Sequence, residues 1–128
     1  MSRPIVVGGA LLREGRLLAA RRTAPAELAG RWELPGGKVE PGESAPEALV
    51  REFQEELGVV VRPVERVPGE WALPSGHVLH VWVAALVRGE PRALQDHDQL
   101  RWVTAHEALT LDWLPPDRPA VTWTTTHL

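Results

Sequence analysis

One stretch, GKVEPGESAPEALVREFQEELGV at residues 37–59, restricts this chain more than any other. Its apolar spacing predicts a helix over about Ala45–Leu57 that a glycine ends. Three glutamates, Glu52, Glu55 and Glu56, crowd the end of this helix, where the helix dipole is already negative. Each like-charge pair costs roughly 0.2–0.5 kcal/mol, and the dipole adds a similar penalty. We therefore expect a positively charged partner beside this end of the helix.

The predicted helix has an apolar face and an acidic face. At about 100° per residue, Leu49, Val50, Phe53 and Leu57 share one face, which we expect to pack on a sheet. The three glutamates occupy the adjoining sector, and their oxygens are the ligands that Mg²⁺ prefers, with Mn²⁺ as an alternative. The spacing predicts that the three carboxylates converge on one divalent cation. On spacing alone, an acidic sector is also typical of a solvated helix face, and that interpretation stays open at this point.

The residues before the helix favour a phosphate ligand. Gly36 and Gly37 allow the backbone to pass close to a ligand and can turn a carbonyl toward a metal. Lys38 follows directly and can reach a phosphate as a point charge. Glycine pairs are also common in ordinary turns, so these three residues alone do not decide the function.

The arginine of the predicted helix, Arg51, has several possible partners. Glu43 lies in a loop marked by a Pro-Gly turn, and Arg51 lies on the side of the helix that such a loop could cover. A pair between Arg51 and Glu43 would fix the loop on the helix. Pairing of Arg51 with Glu47 or Glu55 along the helix is an equally good interpretation.

Composition limits the class of protein. A chain of 128 residues with 44% hydrophobic and 24% charged residues is predicted to form a single domain over residues 1–128. A net charge of −3 argues against a polynucleotide partner, and the absence of cysteine argues against a thiolate zinc site. The sequence carries neither a signal peptide nor a long apolar run, so we expect a cytoplasmic protein without membrane contact. We also expect a monomer.

Strands outnumber helices in the remaining sequence. Residues 4–22 predict two strands joined by a short turn, and RWELPGGKV predicts a short strand broken by its glycine pair. Three more strands are predicted at 59–67, 69–73 and 77–87. A short helix is predicted from Thr104, with a capping box to the glutamate three residues later, and a last one near Asp117. These elements predict an α/β (α+β) fold in which a mixed β-sheet is sandwiched between α-helices.

The complete pattern resembles the signature of the Nudix hydrolases. Gly37, then Glu43 at its fixed distance, then REFQEELGV at residues 51–59 match every fixed position. Phe53 stands where an aliphatic residue is usual, and it still suits a core position. A match at this many constrained positions favours the metal site over the solvated helix face.

This resemblance implies a Nudix-type fold and hydrolysis of a nucleoside diphosphate linked to another group. It implies that Glu52, Glu55 and Glu56 bind the metal together with the carbonyl of Gly37, and Glu52 is our first choice as general base. The side chains assigned to the catalytic group are Glu43, Arg51, Glu52, Glu55 and Glu56.

The similarity extends to the MutT-like (deoxy)nucleoside triphosphate pyrophosphohydrolases. It covers the segments at 21–22, 32–38, 94–103 and 111–119 in order and spacing. It implies cleavage of a nucleoside triphosphate to monophosphate and pyrophosphate, a reaction that cleanses the nucleotide pool. Cytosine nucleotides, including methylated ones, and 8-oxo-dGTP are the substrates that members prefer. A catalytically silent domain that only binds nucleotide is a further hypothesis, but such domains typically lose a metal carboxylate and this chain keeps all three.

Other site residues follow from the same alignment. Asp96, in the acidic segment LQDHDQL, matches a further metal carboxylate, with Asp98 in reserve; an ordinary polar loop is the alternative. Arg22 matches a contact to base or sugar, and Leu34 and Trp82 are predicted pocket walls. The residues predicted to bind substrate are Arg22, Leu34, Gly36, Lys38, Trp82 and Asp117.

The base preference is predicted from Asp117. This position carries Asn in the 8-oxo-dGTP enzyme that the chain resembles. An ionised Asp can only accept hydrogen bonds and therefore suits the N4 amino group of cytosine. Cytosine triphosphates are expected to lead slightly over 8-oxo-dGTP. The alternative role of Asp117 is that of a helix N-cap.

Overall fold

The computed structural model describes residues 3–128 and contains one eight-stranded sheet. The strands are β1 Ile5–Arg13, β2 Arg16–Arg22, β3 Trp32–Glu33, β4 Gly36–Lys38, β5 Val60–Arg66, β6 Trp71–Ala72, β7 Val78–Arg88 and β8 His97–Val103. Their order is β3-β2-β1-β7-β5, while β4 pairs with β1, β6 with β7 and β8 with β2. β1 and β7 are parallel, and the other strand pairs are antiparallel. The predicted mixed sheet is confirmed.

Within residues 3–128, three α-helices accompany the sheet: α1 Ala45–Leu57, α2 Ala105–Ala108 and α3 Arg118–Thr125. The α1 boundaries agree with the prediction. Ser44 caps its start in a reciprocal capping box with Glu47, and Gly58 ends it in the left-handed region at φ 69°. The capping box predicted at Thr104 is also present.

The helices cover both faces of the sheet. On one face, α1 buries Leu49, Phe53 and Leu57 in a cluster with β1 and β2 residues. On the other face, the helices α2 and α3 pack in a second cluster that contains residues of β1, β2, β7 and β8. A Cβ at Gly9 would lie 2.5 Å from the Phe53 ring, so this glycine makes room for the aromatic side chain. The sandwich of a sheet between helices is confirmed.

The divergence of β1 and β2 creates space for a cavity. The two strands pair only next to their turn, at Leu12–Leu17 and Arg13–Arg16. Farther from the turn, β1 pairs with β4 instead, over Val6 to Gly8. The short strand β4 therefore takes the place of β2 beside β1, and it packs against α1.

Two strand predictions were wrong. The segment RWELPGGKV forms two strands on different partners, with the break at Leu34–Pro35, and its glycine pair lies inside the second strand. Proline has no N–H to donate, which explains the position of the break. The segment interpreted as an acidic loop becomes strand β8 at His97, because its backbone pairs with β2.

No helix in residues 3–128 combines the length and the apolar character that crossing a bilayer requires.

Candidate active site

The acidic end of α1 contains carboxylates in three environments. Glu56 is 7% exposed, and its Oε2 has no hydrogen-bond partner in the described part of the chain. Burial, with the negative charge of Glu52 as the next contribution, raises the pKa of Glu56 to about 8. Burial also raises the pKa of Glu52, against the opposing effect of Arg51. The side chain of Glu55 is half exposed.

Arg51 supplies a positive charge at this acidic end, where the sequence predicts a divalent cation. Its Nε and Nη2 donate to both oxygens of Glu43, at 2.8 and 2.9 Å. Its Nη1 donates to Glu52 at 3.0 Å and to Glu55 at 3.3 Å. Of the three partners left open for Arg51, Glu43 and Glu55 are bonded to it, and within residues 3–128 it makes no hydrogen bond to Glu47. The Arg51 hydrogen bonds hold the pKa of Glu43 at about 2, which keeps this loop carboxylate ionised.

The glycine pair of β4 fits closely between β1 and α1. A Cβ at Gly36 would lie 1.9 Å from the carbonyl oxygen of Val7. A Cβ at Gly37 would lie 2.4 to 2.6 Å from the carboxyl atoms of Glu52. Any larger residue at Gly37 would therefore displace Glu52, which explains why this position requires glycine.

Arg51 engages two of the three glutamates of α1, and the convergence of all three on a metal stays a prediction. Within residues 3–128, no three acidic or histidine side chains form a cluster arranged to hold a metal. Glu52 and Glu55 both bond Arg51 instead, which offsets the repulsion between carboxylates. The residues nevertheless fit a divalent metal, since Glu56 keeps a buried oxygen without a partner and the available donors are oxygens. The atoms that could hold the metal are the carboxylate oxygens of Glu52, Glu55 and Glu56 and the carbonyl oxygen of Gly37.

A cavity of about 270 Å³ lies next to this acidic end. Strand β4 joins the two, because Gly36, Gly37 and Lys38 line the cavity while Gly37 also borders Glu52. The predicted substrate residues that line it are Arg22, Leu34, Gly36, Lys38 and Asp117. The structure therefore brings five of the six together.

Trp82 is the exception, and its prediction as a pocket wall was wrong. It packs against the cluster on the α1 face of the sheet, whereas Leu79, which lines the cavity, belongs to the other face. Successive residues of a strand point to opposite faces, and the sequence does not reveal which parity of β7 faces the cavity.

Asp117 occupies the N-cap position of α3, but its side chain belongs to the cavity wall. Its side chain makes no capping bond to α3, and Oδ2 accepts from the backbone N–H of Leu34 at 2.8 Å. It is 7% exposed, and burial raises its pKa to about 7, while the Leu34 hydrogen bond opposes the shift. The prediction of a capping side chain was wrong, because the carboxylate points across to the end of β3.

Sequence reasoning missed Glu33, which is a polar residue of this wall, and the buried histidine that contacts it. Glu33 lines the cavity, and its Oε2 accepts from Arg22 Nη1 at 2.9 Å and contacts His97 Nε2 at 2.7 Å. The His97 side chain has no exposed surface. Glu33 belongs to the motif WELPGGK, which could have identified it as a site residue. The burial of His97 depends on strand β8, which the sequence pattern predicts as a loop.

Asp96 and Asp98 differ sharply in the structure. Asp96 adopts φ 53° just before β8, and its carbonyl accepts from Thr23 N at 2.9 Å. Its charge contributes to the raised pKa of Glu56, so it lies within electrostatic reach of the acidic end. Asp98 instead forms a two-bond pair with Arg21, at 2.8 and 3.0 Å. The charge of Asp96 therefore reaches Glu56, whereas that of Asp98 is paired with Arg21.

Comparisons with known proteins agree with this geometry. The NUDIX domain family model matches residues 2–124. The chain is 49% identical over 121 residues to a Mycobacterium tuberculosis protein named "Putative 8-oxo-dGTP diphosphatase 2", covering 92% of this chain and 85% of that one. It is 40% identical over 116 residues to the CTP pyrophosphohydrolase of Escherichia coli, covering 89% and 85%.

A solved structure gives the same result. The crystal structure of a MutT NUDIX hydrolase from Burkholderia pseudomallei superposes with a TM-score of 0.79 at 30% identity, covering 95% of this chain and 98% of that one. The family model, the two relatives and the shared fold lead to one conclusion: the chain belongs to the NUDIX domain family and is a MutT-like Nudix hydrolase.

Proposed function

We propose that this enzyme cleaves nucleoside triphosphates into monophosphate and pyrophosphate with Mg²⁺, and that it prefers cytosine nucleotides slightly over 8-oxo-dGTP. The observation that carries the proposal is the position of β4, which borders the acidic end of α1 on one side and lines the cavity on the other. A nucleotide can therefore place its phosphates at the glutamates and its base in the cavity. The names of the two curated relatives, one for each base, support the same substrate class.

Nudix hydrolases generally require a divalent metal ion, and Mg²⁺ is the ion we propose here. Glu52, Glu55, Glu56 and the Gly37 carbonyl would hold it, with Asp96 as a further carboxylate. When bound, the ion neutralises phosphate charge and lowers the pKa of a bound water.

The residues of the chain account for the remaining steps. Glu52 accepts the proton of the attacking water, whose oxygen forms a bond to phosphorus as the anhydride P–O bond breaks. Arg51 keeps Glu52 oriented and fixes the loop through Glu43. Lys38 is exposed at the cavity rim and offers a positive charge to the phosphates.

Base selection is assigned to Asp117, Glu33 and Arg22. The two carboxylates offer acceptors to an amino group such as N4 of cytosine, and Arg22 offers donors. One observation keeps 8-oxo-dGTP as the second candidate: burial brings the pKa of Asp117 to about 7, so its protonated form is accessible and can donate to a guanine oxygen.

We further propose that the chain acts as a monomeric single domain and binds no polynucleotide. The net charge of −3 supports the absence of a polynucleotide partner, because such binding relies on a basic surface.

Product analysis tests the proposal directly. CTP, 5-methyl-dCTP, 8-oxo-dGTP and the unmodified triphosphates are incubated with enzyme and Mg²⁺, and monophosphate and pyrophosphate are quantified. We expect both products in equal amounts and none in excess chelator. Glu55→Gln and Glu56→Gln should lower kcat by orders of magnitude with the fold intact, since they remove charge rather than core volume. Full activity in either variant, or in chelator, would refute the metal assignment.

A further inference from the structure

We propose that His97 is a positioning residue for base selection, which holds Glu33 so that one carboxylate oxygen stays available to a donor on the base. This inference rests on the proposed function, because it names a determinant of selectivity in the same cavity.

The inference starts from the unequal use of the two Glu33 oxygens. Oε2 receives both protein contacts, from Arg22 Nη1 at 2.9 Å and from His97 Nε2 at 2.7 Å. Oε1 makes no hydrogen bond within residues 3–128, and Glu33 lines the cavity. The carboxylate therefore keeps one oxygen free for a ligand while the other is doubly bonded.

A β-bulge brings His97 into this position. In the β2–β8 ladder, Arg22 pairs with His97 and Arg21 pairs with Gln99, so Asp98 is the extra residue between them. A bulge redirects the neighbouring side chains. Asp98 turns outward to bond Arg21 in an exposed pair, while the His97 ring is fully buried. The buried polar ring of His97 thus contacts a single carboxylate, that of Glu33.

The contact from His97 prevents a competing geometry. Arginine and carboxylate groups favour paired, two-bond arrangements. With the His97 donor removed, the Glu33 carboxylate would be free to bond Arg22 through both oxygens, which would withdraw Oε1 from the ligand. With its proton on Nε2, His97 holds Oε2 and leaves Oε1 accessible. The nearby acceptor of Asp117 remains in place, so the effect is on selectivity rather than on the whole cavity.

Matched substrate pairs test this role. CTP carries an amino donor where UTP carries a carbonyl acceptor, and 8-oxo-dGTP carries an N7–H donor where dGTP carries an N7 acceptor. The ratio of kcat/KM within each pair measures preference for the donor-bearing base. His97→Phe keeps an aromatic ring without the donor, and His97→Gln places an amide N–H near the position of Nε2.

We expect His97→Phe to lower the ratio at least about fivefold in the pair that the wild type cleaves, the lower end for one base-edge contact. His97→Gln should keep most of the wild-type ratio. A purely structural role would lower kcat/KM for both members alike and leave the ratio unchanged, and that result would overturn the inference. His106→Phe, at an exposed histidine of α2, is the matched control and should leave the ratio unchanged.

Two further results separate this inference from the proposed function. A wild type that cleaves no triphosphate would refute the proposed function and the inference with it. A selective wild type with an unchanged His97→Phe ratio would refute only the inference. If His97→Phe does not fold, His97→Asn replaces it: the shorter amide lies near the position of Nδ1 and does not reach Glu33, so it should lose the selectivity that His97→Gln keeps.

Discussion

The Asp117 carboxylate accepts a hydrogen bond from the backbone N–H of Leu34, with 2.8 Å between Oδ2 and N. This bond connects the turn before α3 to the end of β3 and thereby closes one wall of the cavity. Asp117 Oδ1 makes no hydrogen bond within the described part of the chain. One oxygen thus serves the fold, and the other is left for a ligand in the cavity.

Asp117→Asn should change base preference without breaking this wall. The Asn oxygen can still accept from Leu34, while its amide presents a donor where the carboxylate presented an acceptor. We expect the ratio of kcat/KM for CTP to kcat/KM for 8-oxo-dGTP to fall. The decrease should correspond to a free-energy change of roughly 1–3 kcal/mol, the range of one base-edge contact. Steady-state kinetics with both substrates measures it. An unchanged ratio together with a lower melting temperature would assign Asp117 to structure alone.

The same preference should depend on pH. Burial raises the pKa of Asp117 to about 7, so the carboxyl is protonated below that pH and can donate, while above it the carboxylate only accepts. The CTP to 8-oxo-dGTP ratio should therefore rise between pH 6 and 8. Effects of pH on the attacking water cancel in the ratio. Asp117→Asn should give a flat profile, and a profile equal to that of the wild type would contradict the assignment.

Asp96 and Asp98 should differ in their effect on kcat. Asp96 lies within electrostatic reach of Glu56, whereas Asp98 is engaged by Arg21 through two hydrogen bonds on the exposed side. We expect Asp96→Asn to lower kcat about tenfold or more, and Asp98→Asn to change it by less than about twofold. Equal and small effects would return the whole segment to an ordinary polar role.

The parts of the fold that the sequence predicts are those with local causes. The boundaries and the buried face of α1 follow from apolar spacing and from a C-terminal glycine, and both agree with the structure. The pair of Arg51 with Glu43 was one of the open alternatives, because Arg51 lies on the side of the helix that the preceding loop could cover.

The features that sequence reasoning missed depend on pairing between distant segments. The bulge at Asp98 obscures the alternation of β8, so neither the strand nor the burial of His97 could be inferred from HDQLRWV alone. The face on which Trp82 lies depends on the register of β7 against β1. The bonding of both Glu52 and Glu55 to Arg51 depends on how one arginine divides its donors, and residue spacing does not contain that information.

Gly37→Ala should impair catalysis more than binding. A Cβ at this position would lie 2.4 to 2.6 Å from the Glu52 carboxyl atoms, so Glu52 has to move. We expect kcat to fall about tenfold or more, since small displacements of catalytic groups are costly, with little change in KM. Gly30→Ala is the control for kcat: its Cβ would meet no atom within 4 Å, and the strain of alanine at φ 85° lowers stability without displacing Glu52. Equal kinetics in the two variants would show that the position of Glu52 is not critical.

Glu56→Gln should stabilise the metal-free protein at high pH. Burial raises the pKa of Glu56 from its ordinary 4.5 to about 8, so the fold favours the protonated form. The resulting stability is fully present below about pH 4.5 and is lost as pH rises through about 8. In chelator, the melting temperature of the wild type should therefore fall between pH 6 and 9, and that of Glu56→Gln should fall less. At pH 9 the variant should melt at least about 3 °C higher, the shift that roughly 1 kcal/mol gives a domain of this size. Glu55→Gln, at a half-exposed carboxylate, should follow the wild-type curve, and parallel curves for wild type and Glu56→Gln would show that burial does not penalise the Glu56 charge.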